Sequence, residues 1–99
     1  MFVSGQTPLL PDGTVPDGVA QQADVVVEKI GSALDAVGLT LGSIAKVTYF
    51  LTDIADLPDL RAALDAVLPH PRPAASLVEV SALIDPRCRI EIEAIAVRG

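Results

Sequence analysis

Hydrophobic and polar positions change their period several times along the chain. Met1–Gln6, MFVSGQ, is a short apolar run stopped by glycine and predicts a strand. From Val19 the apolar positions Val19, Ala23, Val26, Val27, Ile30, Leu34 and Val37 step by threes and fours, which lays one buried stripe on a helix. Gln21, Gln22, Asp24, Glu28 and Lys29 fall on the other side and predict a solvated face. Asp17 is placed to cap this helix and Gly38 to supply its left-handed stop. Leu39–Ser43 reads as a connector, and Lys46–Thr52, KVTYFLT, is a strand rich in β-branched and aromatic residues. Leu57, Leu60, Leu64, Val67 and Leu68 form the stripe of a second helix. Asp56 stands at its N-cap, Pro58 in its first turn, Asp59 three residues after the cap, and Pro69 at its end.

The loop His70–Pro73 leads into the last segment, Ala74–Val97, which predicts a hairpin with a turn at IDPR. Ser76, Val78 and Val80 share one face of its first arm; Cys88, Ile90, Ile92, Ala94 and Ala96 share one face of the second. The opposite face carries Glu79, Glu91 and Glu93, then Ile95 and Val97. A surface that begins acidic and ends apolar suits a subunit boundary or a cleft wall better than bulk water. Thr7–Gly18, with Pro8, Pro11, Pro16, Asp12-Gly13 and Asp17-Gly18, is a loop. The order strand, helix, strand, helix, strand, strand predicts an α+β two-layer sandwich. It forms a single domain over residues 1–99, with two helices on one mixed β-sheet and the last two strands antiparallel neighbours.

Composition narrows the function classes. The chain has 99 residues, 51% of them hydrophobic, yet only two Phe and one Tyr. A small aliphatic core, worth roughly 1.5–3 kcal/mol per buried Val, Leu or Ile, gains from assembly, so an obligate oligomer is expected. A net charge of −6, with seven Lys and Arg scattered along the chain, disfavours nucleic acid. The single Cys88 cannot form an internal disulfide, and no apolar run reaches the ~20 residues of a membrane span. Met1-Phe2-Val3 lacks the charged start of a signal peptide, so a cytoplasmic protein with no membrane partner is expected. One His and one Cys cannot supply three ligands, so no metal site is expected. Cys88 reads as a buried small hydrophobe, His70 as an exposed loop residue. Ser4 has neither the elbow nor the His–acid pair of a hydrolase nucleophile.

SGQTPL, KVTYFLTDIADL, PAASLVEVSAL and above all IEIEAIAVR resemble the Rid family, the reactive intermediate (enamine/imine) deaminases also called YjgF-type proteins, over nearly the whole chain. The resemblance implies a chorismate-mutase-like fold assembled as a homotrimer, with a small-molecule cleft at each subunit boundary and no metal or organic cofactor. In active members an arginine, at the fourth position of a segment like RPAR, grips the substrate carboxylate. A glutamate in the closing segment positions the water that hydrolyses the imine to a 2-oxo acid and ammonia. By this resemblance the catalytic glutamate is Glu91, and the ligand-binding positions are Ser4, Gly5, Ala75 and Leu77. Ala75 stands where the arginine falls and Leu77 where a cysteine is usual. Typical members also carry a strand before the SGQ segment, with a tyrosine near the cleft; this chain starts without it.

A methyl group cannot replace two parallel charge-assisted hydrogen bonds. At roughly 1.5–3 kcal/mol each, their loss costs ~100-fold or more in binding a carboxylate, and Glu79, Glu91 and Glu93 would repel the same anion. Arg72 could swing toward the gap, but two prolines restrict its reach, and Arg72, Arg87 and Arg89 are candidate partners for Glu79 and Glu93. The expected protein is a trimeric, divergent deaminase-like hydrolase that disfavours 2-imino acids. The alternative is a non-catalytic trimer that binds a small molecule or a protein; ribonuclease activity is disfavoured by the charge.

Overall fold

The alternating aliphatic residues of the closing segment find strand partners on both sides. The computed structural model describes residues 1–98. In it β1 (Phe2–Gln6), β2 (Ile44–Leu51), β3 (Ala74–Glu79) and β4 (Ile90–Ala96) form one sheet of order β1-β4-β2-β3. β4 is antiparallel to both β1 and β2, whereas β2 and β3 run parallel. Helices α1 (Val19–Asp35) and α2 (Leu57–Val67) pack against one face of this mixed sheet, which completes the expected α+β sandwich.

The predicted closing hairpin does not form, because β2 stands between β3 and β4. α2 carries the chain from the end of β2 back to the start of β3, and a strand reached through such a crossover pairs parallel with the one it left. The turn at IDPR is present, closed by the Arg87 and Cys88 N–H groups on Asp85 Oδ1 (2.9 Å) and the Asp85 carbonyl (3.0 Å). It belongs to a longer connection, 80–89, whose two ends are tied to the end of β2 by Val80 N–H to Leu51 O (2.8 Å) and Thr52 N–H to Arg89 O (3.1 Å).

Both helical stripes are buried where local period places them: Val19, Ala23, Val26, Val27, Ile30 and Leu34 on α1, Leu60 and Leu64 on α2. Against them lie Val47, Tyr49 and Leu51 of β2 and Ile90, Ile92, Ala94 and Ala96 of β4. A pocket between Val27, Ile30, Val47, Tyr49 and Ile92 is about 10 Å³, room for no more than one water. Four expectations at the helix ends are corrected. α1 is capped at Gly18, whose extended backbone offers its carbonyl to the Gln22 N–H (3.0 Å), and not by Asp17. It ends at Asp35, so Val37 lies beyond it and is exposed, while Gly38 closes the turn at φ +75. Asp56 does hold the N-cap position of α2, but with helical angles and no capping bond from its side chain, whose carboxylate turns to Arg89 (3.0 Å), and Val67 stays exposed at the end of α2.

Gln22, expected on the solvated side, is fully buried. Its amide donates to the carbonyls of Pro16 (2.7 Å) and Arg87 (3.0 Å), and its oxygen accepts the Arg89 N–H (2.7 Å). One side chain thus fastens the proline-rich loop and the entry to β4 onto α1. Gln22→Leu keeps the volume but strands those three backbone groups. It is expected to destabilise the fold by about 2–4 kcal/mol, read as a lower urea midpoint at unchanged slope; a midpoint equal to that of the unaltered protein would show that the loops are held by other contacts.

Candidate functional site

The face of the sheet turned away from the helices carries the acidic and apolar residues that the closing segment foretold. Register sets Phe2 beside Ile95, Glu93 beside Thr48, and Glu91 beside Phe50. Phe2 is 81% exposed and Val78, on the same face, 44%. A groove of about 210 Å³ runs between Phe2, Ser4, Lys46, Thr48, Glu93 and Ile95. Lys46 is held in this face by the Ser76 (3.1 Å) and Thr48 (3.3 Å) hydroxyls.

Ser4 and Gly5 together oppose Glu93, a bulge in β1 that re-aims the strand. The bulge presses Gly5 against the side chain of Glu91. A Cβ at position 5 would lie 2.6 Å from Glu91 Oε2 and 2.9 Å from its carboxyl carbon, so any larger residue would push that carboxylate out of its present place. Glu91 is half-buried, and Ser4 is exposed at the rim.

Glu79 is not on this face, which corrects its grouping with Glu91 and Glu93. Parallel pairing sets Glu79 opposite the buried Leu51, on the helix side, where its carboxylate accepts the Ile54 N–H (2.7 Å). The arginines considered as partners for Glu79 and Glu93 pair with aspartates: Arg72 with Asp65 (3.1 Å), Arg87 with Asp85 (2.7 Å) and Arg89 with Asp56 (3.0 Å). Hydrogen bonds from Arg87 hold the Asp85 carboxyl down at about 2. Arg72 also donates to the Leu64 carbonyl (3.3 Å) at the end of α2, which ties it down away from any swing toward position 75.

Ala75 and Leu77 follow Glu79 onto the helix side, opposite Val47 and Tyr49. There they wall a cavity of about 380 Å³ with Tyr49, Leu60, Arg61 and Leu64. Burial pushes the Tyr49 phenol up, opposed by the positive charge of Arg72, so the hydroxyl remains a donor at neutral pH. The site residues named from sequence therefore fall into two groups within one protomer: Ser4, Gly5 and Glu91 on the open face, Ala75 and Leu77 on the helix face of the edge strand. Arg61 and Tyr49 were not among them. Tyr49 reads only as a strand aromatic, and Arg61 as one polar residue on the flank of an amphipathic helix, with no motif around it. Cys88 is buried, its thiol pushed up by burial and by Asp85, and His70 is exposed.

The family model described as Endoribonuclease L-PSP matches residues 1–98. The 2-iminobutanoate/2-iminopropanoate deaminase of Escherichia coli (strain K12) is 40% identical over 103 residues, spanning 99% of this chain and 79% of that protein. The deaminase of the same name from Mus musculus is 34% identical over 102 residues, spanning 100% of this chain and 74% of its own. Among solved structures, the YjgF gene product of E. coli superposes with a TM-score of 0.91 at 38% identity, covering 99% of this chain and 80% of that one. E. coli TdcF with bound serine superposes at 0.88 and 36% identity, with 99% and 80% covered. With its two helices on a mixed four-stranded sheet and a match that runs from end to end, the chain belongs to the YjgF/Rid family.

Proposed function

We propose that this chain is a divergent imine hydrolase of the Rid type, working as a homotrimer in clefts between protomers. The observation that carries the reading is the Glu91 carboxylate laid over Gly5 on an uncovered sheet face. Relatives that match nearly the whole chain are named for hydrolysis of 2-iminobutanoate and 2-iminopropanoate, and TdcF is solved with a small amino acid bound. In the proposed reaction Glu91 orients a water and takes its proton as the water oxygen bonds to the imine carbon. The C=N electron pair moves to nitrogen, which is protonated, and the carbinolamine collapses to the C=O product with release of ammonia.

The separation of the two groups supports assembly. Glu91 and Gly5 lie on one side of the sheet and Ala75 and Leu77 on the other, at its edge, so a cleft containing both needs one set from each of two subunits. The same contact would cover Phe2, Val78 and Ile95. Loss of the β3 guanidinium at Ala75 makes this a weak enzyme for 2-imino acids. It also favours a second reading, a non-catalytic binding trimer, in which ligand capture survives Glu91→Ala.

Three outcomes are expected. With 2-iminobutanoate generated in place by an amino-acid oxidase, Glu91→Ala lowers kcat/KM by about 100-fold or more; an unchanged rate leaves only the binding reading. Ala75→Arg raises kcat/KM for the same substrate by about tenfold to 100-fold, and no gain would mean that the clamp does not limit this enzyme. Sedimentation equilibrium gives three times the chain mass, and Phe2→Glu with Ile95→Glu shifts it toward one; a stable lone protomer in the unaltered protein rules out the trimer.

A further inference from the structure

The chain has seven lysines and arginines against thirteen acids, and six of the seven basic side chains are engaged. Lys29 donates to the Thr7 carbonyl, Lys46 to Ser76 and Thr48, Arg72 to Asp65, Arg87 to Asp85, Arg89 to Asp56 and Arg98 to the Val37 carbonyl. Arg61 alone makes no hydrogen bond or ion pair among the described residues. It stands on α2 as one wall of the cavity of about 380 Å³, which it shares with Ala75 of β3. Tyr49, 8% exposed, lines the same cavity. The remaining walls are mostly apolar, Leu57, Leu60, Leu64 and Leu77, with Ser76 next to Ala75.

Resting on the hydrolase reading above, we infer that Arg61 holds the carboxylate of the ligand from α2, in place of the arginine that β3 lacks at Ala75. The chemistry of the cavity names the ligand class. A planar guanidinium matches a carboxylate bidentately. The leucine walls suit a short aliphatic tail, and the volume lies in the range of roughly 300–1,000 Å³ usual for small-molecule sites. The cavity thus takes a small carboxylate with a short aliphatic tail, the acid end of the proposed substrate, and Arg61 is a specificity-determining residue. Its hold is weaker than that of an arginine on β3, because it projects from an exposed helix flank.

The test titrates the isotope-labelled protein with 2-oxobutanoate, and in parallel with its neutral amide 2-oxobutanamide, following backbone amide shifts. The carboxylate is expected to move the amides of 75–77 and of α2 around Arg61, and to bind at least about tenfold more tightly than the amide. Arg61→Ala should weaken 2-oxobutanoate about tenfold or more without changing the affinity for the amide, and Arg61→Lys should recover part of the loss. Ala75→Arg in the Arg61→Ala background should restore carboxylate binding. Arg61 is exposed, so its replacement leaves the core intact. No titration by 2-oxobutanoate, equal affinity for acid and amide, or an Arg61→Ala protein that binds the acid as before would each overturn the inference. Failure of the hydrolase reading shows elsewhere, as imine decay indifferent to Glu91→Ala, while the titration still reports on Arg61.

Discussion

The placement of β2 between β3 and β4 is the constraint from which the rest of the molecule follows. Six register pairs, from Lys46–Ala74 to Leu51–Glu79, join β2 to β3, and a nearly continuous ladder joins its other side to β4. A helix must be spanned between β2 and β3, so their pairing is parallel and β3 is driven to the edge of the sheet. β4 is then left to fill the position between β2 and β1. That position brings Glu91 against Gly5, and the edge position leaves the helix side of β3 only partly covered by α2.

Polar groups hold this arrangement as much as aliphatic packing does. Gln22 satisfies three backbone groups from two loops at the point where the chain enters β4, and burying it without those bonds would cost more than an apolar residue there. Around it, Asp85, Asp56 and Asp65 each take up one arginine. These exposed pairs add little stability, but they take up three of the seven cationic side chains in an acidic protein. Of the two other guanidinia Arg98 binds the Val37 carbonyl, which makes the free Arg61 conspicuous, and so are the carboxylates of Glu91 and Glu93, which pair with no arginine among the described residues.

Helices were the most legible part of the chain. The stripes from Val19 to Leu34 and from Leu57 to Leu68 follow from a period of 3.6 within a single segment, and burial on them differs from expectation chiefly at Gln22, Val37 and Val67. Their caps were less legible, since an aspartate near a helix start has several competing partners, and Asp56 chose Arg89. Strand existence was also readable, but strand neighbours were not. The alternation in PAASLVEVSAL says which residues share a face and is silent about which strand lies alongside; the short turn at IDPR made an adjacent hairpin look natural.

The same division runs through the site. Sequence by itself determined that a small aliphatic domain would carry acids and apolar residues on one side of its last strand, and the resemblance of its motifs pointed to Glu91, Gly5 and Ala75. Only the tertiary structure decided that Glu79 belongs to the other face, that a bulge at Ser4–Gly5 makes room for a carboxylate, and that Arg61 shares a cavity with Ala75. Periodicity is a property of neighbours along the chain, whereas a register, a bulge and a cavity wall are properties of segments that meet from far apart.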